Sequence, residues 1–157
     1  TPWHQDGQYW PIRPLATCTV WLAIDDATIE NGCLRFIKGS HIDQKLKSHN
    51  INNDKNLTLN QELMKEEYDE KKAVNLILKR GQISLHDVYL VHGSEANNSP
   101  NARRAITMRF MPTSSKYDHQ LAKDEKLFSK LNANKFSDRK IYHMRGIDAS
   151  GKNNLTY

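Results

Sequence analysis

Residues 73–94 read AVNLILKRGQISLHDVYLVHGS, and this stretch decides the fold. The apolar run at 73–78 predicts a buried strand, and Arg80-Gly81-Gln82 breaks it. Residues 83–92 supply one or two further short strands. Short strands separated by turns or long loops are typical of a sandwich or jelly roll, and they argue against alternating β and α units.

The sequence before and after this stretch extends the pattern. Residues 17–24 (TCTVWLAI) are rich in β-branched and aromatic side chains, which predicts another buried strand. Asn31-Gly32 is a strong hairpin dipeptide, so we expect residues 33–37 (CLRFI) to return as the partner strand. Residues 105–110 (AITMRF) predict the last strand.

The remaining segments are assigned to loops and peripheral helices. Residues 41–59 are polar and carry little periodicity, which predicts a long loop, with a short helix at 61–68. A second helix is expected near 123–131. We therefore expect one mainly-β domain over 1–157, with its jelly-roll core at 1–112 and a peripheral extension at 113–157.

Composition restricts the class of protein. The 157 residues include 23 basic and 18 acidic side chains, giving a net charge of +5, and the two signs are interleaved along the chain. This pattern indicates a solvated surface and does not predict nucleic-acid binding. No apolar run approaches the roughly 20 residues of a membrane helix. We expect a cytoplasmic protein, with Cys18 and Cys33 as buried free thiols.

Two side chains near the start of the chain predict a metal site. His4 and Asp6 are two residues apart, so on an extended strand they project from one face. His92 on a neighbouring strand would complete a set of two histidines and one carboxylate. Such a facial triad leaves three positions of an octahedron open, as in non-haem iron(II) oxygenases that bind a cosubstrate and dioxygen together.

Arg103 is the candidate for cosubstrate binding. It lies eleven residues after His92, beyond a turn-forming Asn-Asn-Ser-Pro stretch, so we expect the two on adjacent antiparallel strands. A small dicarboxylate on the metal could then reach its guanidinium. Along residues 105–110, side chains alternate between two faces of the strand. One set shares the face of Arg103, where its small members would leave a cavity, and the bulky apolar set on the other face would pack against the core. The first set is Ala105, Thr107 and Arg109, and the second is Ile106, Met108 and Phe110.

Four segments together resemble the phytanoyl-CoA dioxygenase family of iron(II)- and 2-oxoglutarate-dependent oxygenases: WHQDG, WLAIDDATIENGCLRFIKGSH, AVNLILKRGQISLHDVYLVHGS and RRAITMRFMPT. The match runs from Trp3 to about Pro112, and MRGIDASG in the tail is similar to bacterial members. The resemblance implies a double-stranded β-helix, the cupin-like jelly roll. It also implies that His4, Asp6 and His92 bind iron, that Arg103 and Ser94 bind the distal carboxylate of 2-oxoglutarate, and that Trp10 faces the substrate space.

The implied activity is the hydroxylation of a C–H bond in a small molecule. Fe(II) is the implied cofactor, 2-oxoglutarate and O2 are the implied cosubstrates, and succinate and CO2 are released. Related halogenases carry a small residue in place of the carboxylate ligand, so Asp6 favours hydroxylation. Family members carry a region before the H-x-D motif that this chain lacks. We therefore expect either a fragment of a longer protein or a short protein whose barrel is incomplete at its N-terminus and is closed by another subunit in a homo-oligomer.

Other interpretations remain open. The chain could be a non-catalytic jelly roll used for binding or assembly, or a cupin-type metal enzyme that tolerates loss of Arg103. Several side chains near the site also have structural explanations. These are packing for His86 and Trp21, a loop role for His41 and His49, an exposed or paired position for Arg104, an ion pair for Arg109, and a turn cap for Ser94.

Overall fold

The computed structural model describes residues 1–123 and 134–156. Its strands are β1 (Ile12–Arg13), β2 (Cys18–Ala23), β3 (Leu34–Ile37), β4 (His49–Ile51), β5 (Gln61–Leu63), β6 (Ala73–Leu76), β7 (Ile83–Asp87), β8 (His92–Ser94), β9 (Ala105–Phe110), β10 (Lys116–Tyr117), β11 (Ile141–Tyr142) and β12 (Leu155–Thr156). Single 3-10 turns occur at Asp6–Gln8, Lys65–Glu67, Glu70–Lys72 and Leu121–Lys123, and α1 spans Asn134–Ser137. The helix expected near 123–131 lies outside the described residues beyond Lys123.

The chain forms two compact units. The first comprises Thr1–Gln8 and Cys18–Phe110, and the second comprises Tyr9–Thr17 and Met111–Tyr157. The first unit contains two three-stranded antiparallel sheets with the strand orders β7-β2-β9 and β6-β3-β8, and a separate β4-β5 pair. From β6 to β9 the chain alternates between the two larger sheets, as a jelly roll requires. The predicted mainly-β jelly roll is confirmed.

Apolar side chains from both larger sheets share one core. Trp21 and Ala23 of β2 pack in the same buried cluster as Leu34 of β3, with Phe36 and Leu76 against its edge. Inward and outward positions alternate along β2, so Thr19, Trp21 and Ala23 are buried while Val20 and Leu22 are not. The two sheets therefore face each other across the interior, and the prediction of Trp21 as a core residue is confirmed.

The predicted hairpin is wrong. β2 and β3 belong to different sheets, because β2 pairs with β7 and β9 while β3 pairs with β6 and β8. Residues 24–33 form a crossing loop that is too long for a two-residue hairpin turn. Asn31 organises this loop: its side chain accepts from the Thr28 N–H at 2.7 Å and donates to the Asp26 carbonyl at 2.8 Å.

The loop and helix expected between 41 and 68 are also partly wrong. β4 and β5 pair antiparallel in this region, and only Lys65–Glu67 is helical, as one 3-10 turn. The backbone pairing of β5 overrides its weak local signal, since the Leu63 N–H donates to the Trp3 carbonyl at 2.7 Å. Leu63 is 1% exposed and packs with Trp3, Ile37 and Val91 in a second buried cluster.

The bulky apolar side chains of β9 were expected to pack in the core, but they do not. Ile106, Met108 and Phe110 are 49%, 40% and 40% exposed. They lie on the outer side of the β7-β2-β9 sheet, whose inner side carries Thr19 and Trp21. Cys18 also lies on the outer side, at the start of β2, and is exposed, so its expected burial is wrong. Cys33 is buried as expected, and both thiols are free.

The second unit contains two short strand pairs and several polar contacts of its own. β1 pairs with β10, and β11 pairs parallel with β12. The Tyr117 hydroxyl donates to the Phe136 carbonyl at 2.9 Å, and the Asn153 side chain accepts from the Tyr117 N–H at the same distance. Among the described residues, no helix is both long enough and apolar enough to cross a membrane.

Candidate metal centre

The two histidines of the predicted triad are joined through their backbones. The His4 N–H donates to the His92 carbonyl at 2.9 Å, and the His92 N–H donates to the His4 carbonyl at 3.0 Å. This antiparallel bridge fixes the first residues of the chain beside β8 and brings the two imidazole centroids within 4.1 Å. The bridge explains how two candidate ligands that are 88 positions apart in the sequence meet in space.

Both imidazoles are oriented in the same way. The Nδ1 atom of His4 lies 2.9 Å from the Pro2 carbonyl, and the Nδ1 atom of His92 lies 2.9 Å from the Leu90 carbonyl. A carbonyl oxygen only accepts, so each Nδ1 carries the proton and donates it. Each Nε2 then presents a lone pair, which is the arrangement that a metal-binding neutral histidine requires.

Asp6 brings its carboxylate to the two Nε2 atoms. Its Oδ1 lies 3.6 Å from His4 Nε2 and 3.9 Å from His92 Nε2. Asp6 is the first residue of a 3-10 turn and not part of a strand, so the expectation that the H-x-D motif lies on one extended strand is wrong. The turn is fixed in place by the Gly7 N–H, which donates to the Val88 carbonyl at 3.0 Å.

The other carboxylate oxygen of Asp6 is occupied by protein donors. The Arg109 Nη2 donates to Oδ2 at 2.7 Å, and the Thr19 hydroxyl donates to the same atom at 3.1 Å. The ion pair expected for Arg109 is therefore present, and its partner is a candidate metal ligand. Thr19 was not predicted from the sequence, because it stands within an apolar strand; its only signal is a hydroxyl in the inward phase of that strand.

Burial and charge set the protonation states that a metal needs. Burial by itself raises the pKa of Asp6, but the contact with His4 and the charge of the Arg109 guanidinium outweigh it and hold that pKa well below its usual range. Burial, reinforced by His4, lowers the pKa of His92 to about 3. The site therefore presents an anionic carboxylate and a neutral His92 imidazole near neutral pH.

The chemistry of this donor set fits a divalent transition metal. In the described part of the chain, the group of side chains able to hold a metal ion is His4, Asp6 and His92, all buried, with their ligand atoms within 4.8 Å of one another. Two imidazole nitrogens and one carboxylate oxygen on one side of an ion match the facial triad of non-haem iron.

His86 lies next to the centre. It is buried, with its ring 4.9 Å from that of His92 and 5.4 Å from that of Phe36. Its Nδ1 lies 3.3 Å from the Ser84 hydroxyl. Burial lowers the pKa of His86 to about 4, so the ring is neutral. His49, expected in a loop, lies on β4. Its Nε2 accepts from the N–H of Gln5 at 3.1 Å, and Gln5 stands between His4 and Asp6 in the sequence.

Arg103 and His92 are not on adjacent strands. β8 lies in the β6-β3-β8 sheet, whereas Arg103 immediately precedes β9 of the other sheet, so the expected adjacency is wrong. Arg103 is half-buried with its guanidinium carbon 5.7 Å from the centre of the Trp21 ring, and burial lowers its pKa. The Ser94 hydroxyl lies 3.4 Å from the Thr1 amino nitrogen. Arg104 is exposed and paired with Asp25, in agreement with its predicted structural role.

Trp10 lies in the second unit. Its ring packs edge-on against Phe136 at 5.1 Å, and the Arg139 guanidinium carbon lies 5.1 Å from its centre. The ring is buried by these contacts. Its role at a substrate site stays a prediction.

Comparison with known proteins gives a consistent result. The family model described as phytanoyl-CoA dioxygenase (PhyH) matches residues 1–105. A phytanoyl-CoA dioxygenase domain-containing protein 1 homolog from Dictyostelium discoideum is 37% identical over 110 residues, covering 69% of this chain and 39% of that protein. The chain thus spans well under half the length of this curated relative.

Solved structures agree on the fold. EvdO2 from Micromonospora carbonacea var. aurantiaca, complexed with 2-oxoglutarate, is 31% identical to this chain and superposes with a TM-score of 0.58. The matched region covers 71% of this chain and 44% of the EvdO2 chain. The non-heme monooxygenase ThoJ in its apo form superposes with a TM-score of 0.70 and 22% identity, and the matched region covers 99% of this chain and 50% of the ThoJ chain. The second likeness is evidence for the fold alone.

Proposed function

The chain belongs to the phytanoyl-CoA dioxygenase family, and from this membership and the metal centre we propose that it is an iron(II)- and 2-oxoglutarate-dependent oxygenase that hydroxylates a C–H bond of a small molecule. One observation carries the proposal: His4 Nε2, His92 Nε2 and Asp6 Oδ1 converge within 4.8 Å in a buried site. Similarity to EvdO2, which was solved with 2-oxoglutarate, supports the choice of cosubstrate.

Iron(II) bound to these three residues would supply the activation of dioxygen that accompanies conversion of 2-oxoglutarate to succinate and CO2. His4 and His92 would bind the metal through Nε2, because their Nδ1 protons are committed to backbone carbonyls. The Asp6 carboxylate occupies the position that a halide would need, which favours hydroxylation over halogenation.

Arg103 is the proposed partner of the distal carboxylate of 2-oxoglutarate. A guanidinium forms two parallel hydrogen bonds with a carboxylate, and its half-buried setting beside Trp21 strengthens such a pair. Arg104, the next residue, is exposed and bound to Asp25 through two nitrogens, so it is not the proposed ligand. We propose that Ser94 assists Arg103 and that Trp10 faces the substrate.

The test is an anaerobic titration of the protein with iron(II) followed by 2-oxoglutarate, monitored by visible absorption. We expect the charge-transfer band of the chelate for the parent chain and for Arg104→Ala. Asp6→Ala should lose the band through loss of metal, and Arg103→Ala should need much more 2-oxoglutarate to reach it. Admission of air should release succinate.

Three results would contradict the proposal in different ways. Absence of the band from folded parent protein would argue against the oxygenase assignment as a whole. A band that survives Arg103→Ala and disappears in Arg104→Ala would move the cosubstrate site to the other arginine. Metal binding without succinate release under any substrate screen would instead support the non-catalytic jelly roll.

A further inference from the structure

A row of three polar side chains crosses the inner face of the β7-β2-β9 sheet. Thr19 at the middle of the row is the register partner of His86 on β7 and of Arg109 on β9. The next inward residues of β2, Trp21 and Ala23, belong to the apolar core. Buried polar groups destabilise a fold unless they are hydrogen-bonded, so this row needs a polar partner.

For Arg109 and Thr19 that partner is the Asp6 carboxylate, whose two oxygens have different contacts, whereas His86 Nδ1 lies 3.3 Å from the Ser84 hydroxyl. Arg109 and Thr19 both donate to Oδ2, at 2.7 and 3.1 Å, whereas Oδ1 faces the Nε2 atoms of His4 and His92. The Asp6 side chain is 1% exposed and that of Arg109 is 23% exposed, so the pair is well shielded from water. Charge-assisted hydrogen bonds of this kind are the strong ones.

We propose that Arg109 and Thr19 are positioning residues that restrict Asp6 to binding the metal through Oδ1 alone. Presenting both oxygens to a metal would require the carboxylate to rotate and break the two bonds to Oδ2. This role rests on the proposed function, because it concerns the number of coordination positions that the protein leaves open.

The number of open positions decides whether both cosubstrates fit. Two imidazoles and one carboxylate oxygen fill three of the six positions around an octahedral ion, which leaves two for chelating 2-oxoglutarate and one for dioxygen. A chelating Asp6 would take a fourth position, leaving only two. Arg109 and Arg103 therefore perform different tasks: Arg109 acts through Asp6, whereas Arg103 contacts the cosubstrate.

The test uses cobalt(II) bound to the 157-residue chain without cosubstrate or oxygen, and it measures the dissociation constant and the visible d–d spectrum. Thr19→Val and Arg109→Met should each weaken cobalt binding by about 10- to 100-fold, as is typical when a hydrogen-bond partner of a metal ligand is removed. Their spectra should also change in intensity, because the carboxylate gains freedom to chelate. Thr19→Ser keeps the hydroxyl and should retain the parent affinity and spectrum.

Two control variants lie near the same strand. Thr107→Val alters an exposed threonine of β9, and Arg104→Met removes an exposed arginine beside it, so both should bind cobalt as the parent does. Thermal unfolding of the metal-free proteins identifies any variant that fails to fold, and the Thr19→Val and Thr19→Ser pair retains the test if Arg109→Met does not fold.

Parent affinity and an unchanged spectrum in both folded Thr19→Val and Arg109→Met would overturn the positioning role and leave the proposed metal centre intact. Failure of the parent chain itself to bind cobalt would overturn the metal centre and the positioning role together. Equal weakening by Thr19→Ser and Thr19→Val would also overturn the positioning role, since it would show that the hydroxyl is not what matters.

Discussion

Gly32 is the position at which one added methyl group should disturb both the fold and the metal centre. Its φ is +77°, a left-handed conformation that favours glycine. A Cβ atom at this position would lie 2.6 Å from the Glu95 carbonyl oxygen and 3.3 Å from that of Ala96. Glu95 follows β8, the strand that carries His92, so relief of the clash must shift backbone next to a proposed ligand.

Gly81 provides a matched control. Its φ is +84°, nearly the same as that of Gly32, but a Cβ there would meet nothing within 4 Å. A left-handed alanine costs about 1–2 kcal/mol, of which about 0.4–1 kcal/mol is recovered because the unfolded chain becomes stiffer. Gly81→Ala should therefore lower the free energy of unfolding by about 1 kcal/mol.

Gly32→Ala carries the same conformational cost and adds the clash with backbone. Forcing an extra carbon into a packed site typically costs about 1–3 kcal/mol. We therefore expect Gly32→Ala to lower the free energy of unfolding by about 2–4 kcal/mol. For a domain of this size each kcal/mol corresponds to roughly 2–4 °C in Tm.

The assay is urea unfolding of the parent and both variants by far-UV circular dichroism, followed by cobalt(II) titration of the folded proteins. Gly32→Ala should be the less stable variant and should bind cobalt more weakly, while Gly81→Ala should bind it as the parent does. Equal stability of the two variants would refute the reasoning, since it would show that the contact with Glu95 costs nothing beyond the backbone conformation.

Two further predictions concern stability. Burial, opposed by the charge of Asp6, lowers the pKa of His86 from 6.5 to about 4, so its contribution is complete above pH 6.5 and is lost as the pH falls toward 4. Between pH 6.5 and 4, the free energy of unfolding of the metal-free parent should fall by roughly 3 kcal/mol more than that of His86→Gln, as measured by urea titration. Parallel pH profiles of the two proteins would contradict this. Leu63→Ala should cost about 2–5 kcal/mol because Leu63 is buried against Trp3, whereas Leu85→Ala, at a residue 62% exposed, should cost far less in the same measurement.

The strands of the two larger sheets were predictable because their local signals are strong. β9 begins and ends where the apolar run predicted, and β2 and β3 differ from their predicted runs by a residue or so at the ends. Pairing was not predictable in the same way. Alternation indicates that a segment is a strand but not which strand lies beside it, so Asn31-Gly32 was interpreted as a hairpin although the chain crosses to the other sheet there.

The faces of β9 show a second limit of sequence patterns. Alternation correctly separated Arg109 from Met108, but hydrophobicity suggested that the Met108 side would be buried. In the structure, the part of the inner side at Arg109 carries polar residues because it lies against the Asp6 carboxylate. Hydrophobicity alone cannot reveal this, since Arg109 is partly buried on the inner side, where it forms an ion pair with a residue 103 positions earlier.

His4 and Asp6 lie close together as their spacing predicts, with 3.6 Å between His4 Nε2 and Asp6 Oδ1, but the local geometry differs from the one expected. The i, i+2 spacing of a strand predicts that His4 and Asp6 share a face, but only His4 is bridged to a strand, and Asp6 begins a 3-10 turn. Their convergence depends on distant contacts: the bridge to His92, the Gly7 bond to Val88, and the donors Thr19 and Arg109. Substitutions at Gly7, Thr19 or Arg109 should therefore weaken the centre, although none of these residues is a proposed ligand.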